Sequence, residues 1–103
     1  MDRIHHVAVA VADITQAVDW YTQHFDCVVR YQDATWAELG FANLNLALVT
    51  PGQHPPHIGF ARPDARTFGA LTTHRDGSAS VYVRDPSGNT LEILDPNTLK
   101  DTP

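Results

Sequence analysis

The chain is short, acidic and moderately apolar. It has 103 residues, 43% of them hydrophobic, and a formal net charge of −5, with its seven Lys and Arg residues scattered along the sequence. This size predicts one globular domain over residues 1–103. The scattered cations argue against nucleic acid or an anionic membrane as a partner, so a small molecule is expected instead.

The sequence favours a cytoplasmic protein. No apolar run approaches the length of a membrane span, and the N-terminal MDRIHH lacks the basic region and apolar core of a signal peptide. A single cysteine, Cys27, excludes an internal disulfide.

The first predicted element is a strand over RIHHVAVAV, residues 3–11. Side chains alternate between the two faces of a strand, so adjacent histidines should point in opposite directions. We expect His6 to share a face with Ala8 and Ala10. His5 is expected on the other face, beneath a helix or in solvent.

A helix and three short strands follow. In DITQAVDWYTQHF, Asp13 is a suitable N-cap and the apolar residues fall on one helical face. The runs CVVRYQ, TWAELGF and LNLALVT are typical of strands. The predicted order over residues 3–50 is βαβββ.

The second half repeats the first in a shortened form. HIGFARPD, from residue 57, aligns with HVAVAVAD, from residue 6, with His on His and Asp on Asp. A poorer helix is predicted over ARTFGALTTH, and SVYVRDPSGNTLEIL reads as two strands joined by a turn. The predicted fold is α+β: two paired βαβββ modules, 3–50 and 56–96, form a cupped mixed sheet with helices outside, and the second module has an edge strand reduced or lost.

The repeat places two histidines and one carboxylate at related positions. LALVTP, from residue 46, aligns with LEILDP, from residue 91, so Ala47 corresponds to Glu92. Two modules packed about a pseudo-twofold axis would bring together His6, His57 and Glu92. Two imidazoles and a carboxylate suit Fe2+, Mn2+ and related divalent ions, and they leave positions open for substrate.

Three segments, IHHVAVAVADITQAVDWY, PHIGFARPD and SVYVRDPSGNTLEIL, together resemble the vicinal oxygen chelate superfamily, which includes glyoxalase I, extradiol dioxygenases and the fosfomycin- and bleomycin-resistance proteins. The resemblance implies one divalent ion (Fe2+, Mn2+, Zn2+ or Ni2+) held by His6, His57 and Glu92. Glyoxalase I and methylmalonyl-CoA epimerase have a fourth ligand where this chain has Ala47. A four-ligand isomerase is therefore disfavoured.

The leading functional hypothesis is a small metal-dependent lyase, dioxygenase or transferase acting on a substrate with two adjacent oxygens. The alternative is a metal-free sequestering protein like the bleomycin-resistance proteins. Tyr82 and Ser80 resemble the phosphonate-contacting residues of fosfomycin-resistance proteins, and Asn45 and Trp36 are further candidate substrate contacts.

The remaining histidines, His24, His54 and His74, are expected at the surface.

If the second module lacks an edge strand, the exposed backbone groups would be covered most simply by a second subunit. A homodimer is therefore predicted.

Overall fold

The computed structural model describes residues 1–99, and its elements follow the predicted order. The strands and the helix are β1 (Arg3–Ala10), α1 (Ile14–His24), β2 (Val28–Gln32), β3 (Trp36–Gly40), β4 (Asn45–Val49), β5 (His57–Ala61), β6 (Thr72–Thr73), β7 (Ala79–Arg84) and β8 (Thr90–Leu94). Two short 3-10 helices span Ala65–Phe68 and Pro96–Thr98. Within residues 1–99, no helix is long and apolar enough to cross a membrane.

All eight strands belong to one mixed sheet with a symmetric order, β2-β3-β4-β1-β5-β8-β7-β6. The antiparallel pair β1 and β5 lies at the centre. On either side, β1 pairs in parallel with β4, and β5 pairs in parallel with β8. This arrangement confirms the predicted α+β fold of two paired, unequal halves.

The sheet curls until its two ends approach each other. Asp33, between β2 and β3, lies near one end of the sheet, and Arg75, between β6 and β7, lies near the other. A guanidinium nitrogen of Arg75 is nevertheless 3.1 Å from a carboxylate oxygen of Asp33. The concave face therefore encloses a cavity.

The second half contains no counterpart of α1 within the described residues. The helix predicted over residues 65–74 is reduced to the four-residue 3-10 helix Ala65–Phe68. Gly69 ends it with φ of +152°, a backbone conformation that L side chains rarely adopt. The chain then forms the two-residue strand β6, so the predicted reduction of an edge strand is confirmed.

The main core lies between α1 and the convex face of the first half. Asp13 caps α1, because its carboxylate accepts a hydrogen bond from the backbone N–H of Gln16 at 2.8 Å. Ile14 and Val18 pack with buried residues of β3 and β4. Burial of each such side chain contributes about 1.5–3 kcal/mol. Because side chains alternate along β3 and β4, the opposite face of the same strands is free to line the cavity.

Candidate metal centre

A β-bulge in β1 directs both adjacent histidines to the concave face. Ile4 pairs with Phe60 and His6 pairs with Gly59, so His5 is an extra residue in the ladder. Such a bulge interrupts the strict alternation of side chains. His5 and His6 are 2% and 5% exposed, and both line the cavity. The prediction that His5 lies on the other face is therefore wrong.

The structure brings His6, His57 and Glu92 together at the base of the cavity. The Nε2 atoms of the two imidazoles are 2.9 Å apart. Each Nε2 atom is also 3.0 Å from Oε1 of Glu92. All three residues are buried. The strands that carry them, β1, β5 and β8, are consecutive in the sheet.

The electrostatic surroundings of Glu92 favour the ionised form of its carboxylate. Burial by itself would raise the pKa of Glu92, but the contacts with the imidazoles of His57, His6 and His74 hold the pKa well below its usual range. Glu92 is therefore ready to act as an anionic ligand.

The spacing of the three atoms is compatible with three ligands at right angles around one divalent ion. Two ligands with bonds of 2.0–2.1 Å at right angles to each other would lie about 2.9 Å apart. The observed separations of 2.9 and 3.0 Å match this value. Two histidines and one carboxylate on one side of an ion form the set that suits non-haem Fe2+.

Hydrogen bonds to neighbouring groups orient two of these three side chains. Nδ1 of His57 donates to the backbone carbonyl of Pro55 at 2.6 Å, which leaves Nε2 directed at the cluster. The hydroxyl of Ser80 donates to Oε2 of Glu92 at 2.6 Å. His74 contacts both partners, with its Nε2 2.6 Å from the Ser80 hydroxyl and 3.3 Å from Oε2 of Glu92. The contact with Glu92 raises the pKa of His74 above its usual value.

A second cluster of polar side chains surrounds His5. Its Nδ1 is 2.8 Å from Nδ1 of His6, and its Nε2 is 3.3 Å from the amide nitrogen of Asn45. Arg30 donates from Nε to Oδ1 of Asn45 at 3.0 Å. Glu38 offers a carboxylate oxygen within 4.8 Å of a ring nitrogen of each of the two histidines.

Glu38 is a buried carboxylate that sequence reasoning missed. It is 7% exposed and lines the cavity. On β4 its direct partner is Ala47, and the equivalent pair in the second half is Tyr82 and Glu92. The first half therefore also has a carboxylate in the cavity. It lies on β3, whereas the position equivalent to Glu92 lies on β4 and is occupied by Ala47.

The cavity has a volume of about 760 Å3. Trp36 and Tyr82, two of the four candidate substrate contacts, line it. Ser80 and Asn45 are outside its lining and are 1% and 0% exposed, so they lie behind the residues that a ligand would touch.

Two of the three histidines expected at the surface line the cavity instead. His54 and His74 are partly buried there, whereas His24 is exposed at the end of α1. The ring of His54 lies edge-on to that of Trp36, with 6.5 Å between centroids, and Nδ1 of His54 is 3.4 Å from the Tyr82 hydroxyl. Burial lowers the pKa of His54 and raises that of Tyr82.

A complete βαβββ half and a second half whose helix is reduced to a short 3-10 turn, packed around a candidate His-His-Glu site, define the general class of this protein. The family model of the glyoxalase/bleomycin resistance protein/dioxygenase superfamily matches residues 3–71, and the chain belongs to that superfamily. The resemblance noted in the sequence is confirmed. The matched segment contains His6 and His57, whereas Glu92 lies beyond it.

Solved structures with the same fold include several enzymes. Methylmalonyl-CoA epimerase from Mycobacterium tuberculosis has a TM-score of 0.75 at 17% identity, over 91% of this chain and 87% of that chain. A superfamily member from Vibrio splendidus 12B01 has a TM-score of 0.67 at 12% identity, with coverages of 92% and 99%. Homoprotocatechuate 2,3-dioxygenase from Arthrobacter globiformis has a TM-score of 0.63 at 19% identity, with coverages of 90% and 35%. Comparison with curated protein sequences finds no match.

Proposed function

We propose that this protein is a small metal-dependent enzyme in which His6, His57 and Glu92 hold one divalent ion. The observation that supports this most directly is the mutual approach of their three ligand atoms, at 2.9–3.0 Å, in a buried position. Fe2+ and Mn2+ are the preferred ions for this set, with Zn2+ and Ni2+ as further candidates. When bound, the ion would supply Lewis-acid polarisation of substrate oxygens.

The substrate is proposed to be a small molecule with two adjacent oxygens. Three protein ligands on one side of an ion leave positions open toward the cavity. Trp36 and Tyr82 flank this space and are proposed to contact the carbon skeleton of the substrate. Tyr82 also packs edge-on against the ring of His57, with 5.2 Å between centroids, so it lies beside a ligand.

The nature of residue 47 supports a site with three rather than four protein ligands. Ala47 is 4% exposed and offers only a methyl group at the position that corresponds to Glu92. Glu38, which lies opposite Ala47 on β3, falls in a separate group with His5 and His6 and not with His57 and Glu92. We therefore propose a lyase, dioxygenase or transferase with three protein ligands over a four-ligand isomerase.

The proposal also includes the oligomeric state of the protein and its location in the cell. We propose a homodimer, because β6 has only two residues and, within residues 1–99, pairs with only the first two residues of β7 on that side. A cytoplasmic location is proposed from the sequence alone. Light scattering coupled to size-exclusion chromatography is expected to give twice the mass of the chain. A monomer at high protein concentration would refute the dimer.

The decisive experiment is metal analysis of the purified protein. After treatment with a chelator, the protein is reconstituted with Fe2+ (without oxygen), Mn2+, Zn2+ or Ni2+ and measured by elemental analysis. Near one ion per chain is expected for wild type and for the exposed control variant His24→Ala. The ion should be lost in His6→Ala and in Glu92→Ala.

Absence of a specific ion under all these conditions would refute the metal-dependent enzyme. It would favour the metal-free sequestering protein. The next step would then be a ligand screen monitored by the fluorescence of Trp36, in a variant that carries Trp20→Phe to remove the signal of α1.

A further inference from the structure

We infer that His5, His6 and Glu38 form a second site for a divalent cation, which shares the imidazole of His6 with the first. Each of the three side chains offers a ligand atom, and these atoms all lie within 4.8 Å of one another. All three side chains are buried and line the cavity. This group is named the His5 site, and the group of His6, His57 and Glu92 is named the His57 site. The His5 site goes beyond the proposed function, and it can be present or absent independently of the His57 site.

The two sites have the same geometry on the two sides of the His6 ring. Nε2 of His6 is 2.9 Å from Nε2 of His57, and Nδ1 of His6 is 2.8 Å from Nδ1 of His5. The rings of each pair are close to perpendicular, with interplanar angles of 84° and 88°. Both separations match the distance of about 2.9 Å expected for two ligands at right angles around one ion. The pair of His5 and His6 is therefore as well spaced for an ion as the pair of His6 and His57.

Each half of the fold supplies one carboxylate to this arrangement. Glu92 lies on β8 of the second half, and Glu38 lies on β3 of the first half. They are the only two glutamates in the sequence. Glu92 is 5% exposed and Glu38 is 7% exposed. A buried carboxylate is costly unless cations or hydrogen-bond donors compensate its charge, and together with two imidazoles it completes a donor set for a divalent transition metal.

The β-bulge in β1 is what brings His5 to this position. Without the extra residue between Ile4 and His6, strict alternation would place His5 on the convex face. A bulge disrupts the local ladder of hydrogen bonds, and bulges are common beside active sites, where they redirect a side chain. A role of His5 as a ligand accounts for this departure from regular pairing.

Contacts among these side chains do not exclude an ion. In the His57 site the ligand atoms also contact one another directly, at 2.9–3.0 Å. An ion that binds there replaces these contacts with bonds to the same atoms. Hydrogen bonds that His5 and Glu38 make with their neighbours would be exchanged in the same way.

The His5 site is expected to bind more weakly than the His57 site. Bonds of about 2.0–2.1 Å to the two nitrogens of one ring place the ions about 6 Å apart, so the first ion repels the second. The guanidinium of Arg30, which lines the same cavity, adds to this repulsion. His6 would bind both ions as an imidazolate, whose negative charge between them offsets part of the repulsion. One tightly held ion and a second ion that binds at higher concentration are therefore expected.

The first test is a titration of chelator-treated protein with Zn2+, measured by equilibrium dialysis because the weaker ion is lost when unbound metal is removed. Wild type should bind two ions per chain in two steps. Glu38→Gln and Glu92→Gln are matched variants, since each removes the charge of one buried glutamate and keeps its shape. Glu38→Gln should keep only the tighter ion, and Glu92→Gln only the weaker one. His6→Ala should bind neither, and the exposed control His24→Ala should behave like wild type.

The second test requires no substitution. Two Cu2+ ions that share one imidazolate couple magnetically, so their electron paramagnetic resonance signal broadens and loses intensity. Wild type loaded with two Cu2+ ions per chain should give a weaker signal per ion than wild type loaded with one. This result does not depend on whether a variant folds.

The outcomes separate the two sites. One Zn2+ ion per chain at saturation, unaffected by Glu38→Gln, would overturn the His5 site and leave the proposed function intact. Two ions in both Glu38→Gln and His5→Phe would place the second ion elsewhere, and an undiminished Cu2+ signal would show that the ions do not share His6. Either result would also overturn the inference. A single ion that Glu38→Gln abolishes and Glu92→Gln retains would support the His5 site and refute the proposed function, whereas binding of no ion would refute both.

Discussion

Gly59 on β5 lies directly opposite His6 on β1, and the His6 imidazole fills the space that a side chain at position 59 would need. A β-carbon built on Gly59 would lie 2.3 Å from Cε1 and 2.7 Å from Nε2 of His6. Glycine in a strand is normally unfavourable because it offers no side chain to pack. Here the absence of a side chain leaves room for the imidazole of His6 over position 59.

Gly59→Ala is therefore expected to displace the imidazole of His6. The overlap involves a buried ring, so the free energy of unfolding should fall by about 1–3 kcal/mol, and metal binding should be lost. Urea unfolding in the presence of a chelator checks the first effect, and elemental analysis checks the second. In a His6→Ala background the same glycine substitution should cost much less. An equal loss of stability in both backgrounds would show that the contact with His6 is not the cause.

Ser80→Ala should weaken metal binding without unfolding the protein. The Ser80 hydroxyl donates to Oε2 of Glu92 and so holds the carboxylate with Oε1 toward the two histidines. Loss of such an orienting group typically costs 10–100-fold in metal affinity. Chelator competition measures the change, and Ser87→Ala, in the exposed turn before β8, is the control. Unchanged affinity would mean that Glu92 needs no support from Ser80.

The repeat in the sequence was sufficient to predict the arrangement of the two halves. Alignment of residue 57 with residue 6 predicted that β1 and β5 are equivalent strands, and the structure places them as neighbours. The Gly in ARTFGALTTH marked the second helix as weak, and the helix is indeed cut short before Gly69. These features depend on local composition and internal similarity, which a single sequence contains.

The features that were not predicted depend on pairing between distant strands. Alternation assigned His5 to the wrong face, because a bulge is defined by the register of β1 against β5. Nothing in the sequence distinguishes Glu38 from an ordinary polar strand residue, whereas the structure pairs it with Ala47 and places it in the lining of the cavity. His74 is predicted at the end of a helix that the structure shortens to Ala65–Phe68, so His74 lies beyond it and lines the cavity.

A bound ion should stabilise the folded protein. Ligand that binds only the native state adds about 2.7 kcal/mol at a concentration 100 times the dissociation constant. For a chain of this size the midpoint of thermal unfolding should rise on the order of 10 °C. Glu92→Gln, which keeps the shape of the side chain but removes its charge, should abolish the shift. Equal shifts in wild type and variant would place the bound ion away from Glu92.

Asp33 organises the turn between β2 and β3. Its Oδ2 accepts from the Tyr31 hydroxyl at 2.6 Å, and its Oδ1 accepts from the backbone N–H groups of Thr35 and Trp36 at 2.8 and 3.0 Å. Burial would raise the pKa of Asp33, but these hydrogen bonds, of which the one from Tyr31 lowers the pKa most, bring it to about 2. The ionised form of Asp33 is therefore the form that the folded state stabilises.

The stabilisation by Asp33 should depend on pH in a defined direction. An unfolded aspartate has a pKa of about 3.9, so the contribution is fully present above about pH 4 and is lost as the pH falls toward 2. The side chain is 25% exposed, and after allowance for solvent screening the contribution is on the order of 1–2 kcal/mol. Urea unfolding of wild type and Asp33→Asn should show this difference at pH 7 and a smaller one near pH 2. Asp19→Asn, on the exposed face of α1, is the control for loss of a charge. A difference between wild type and Asp33→Asn that stays constant from pH 7 to pH 2 would mean that the ionised carboxylate is not what stabilises the turn.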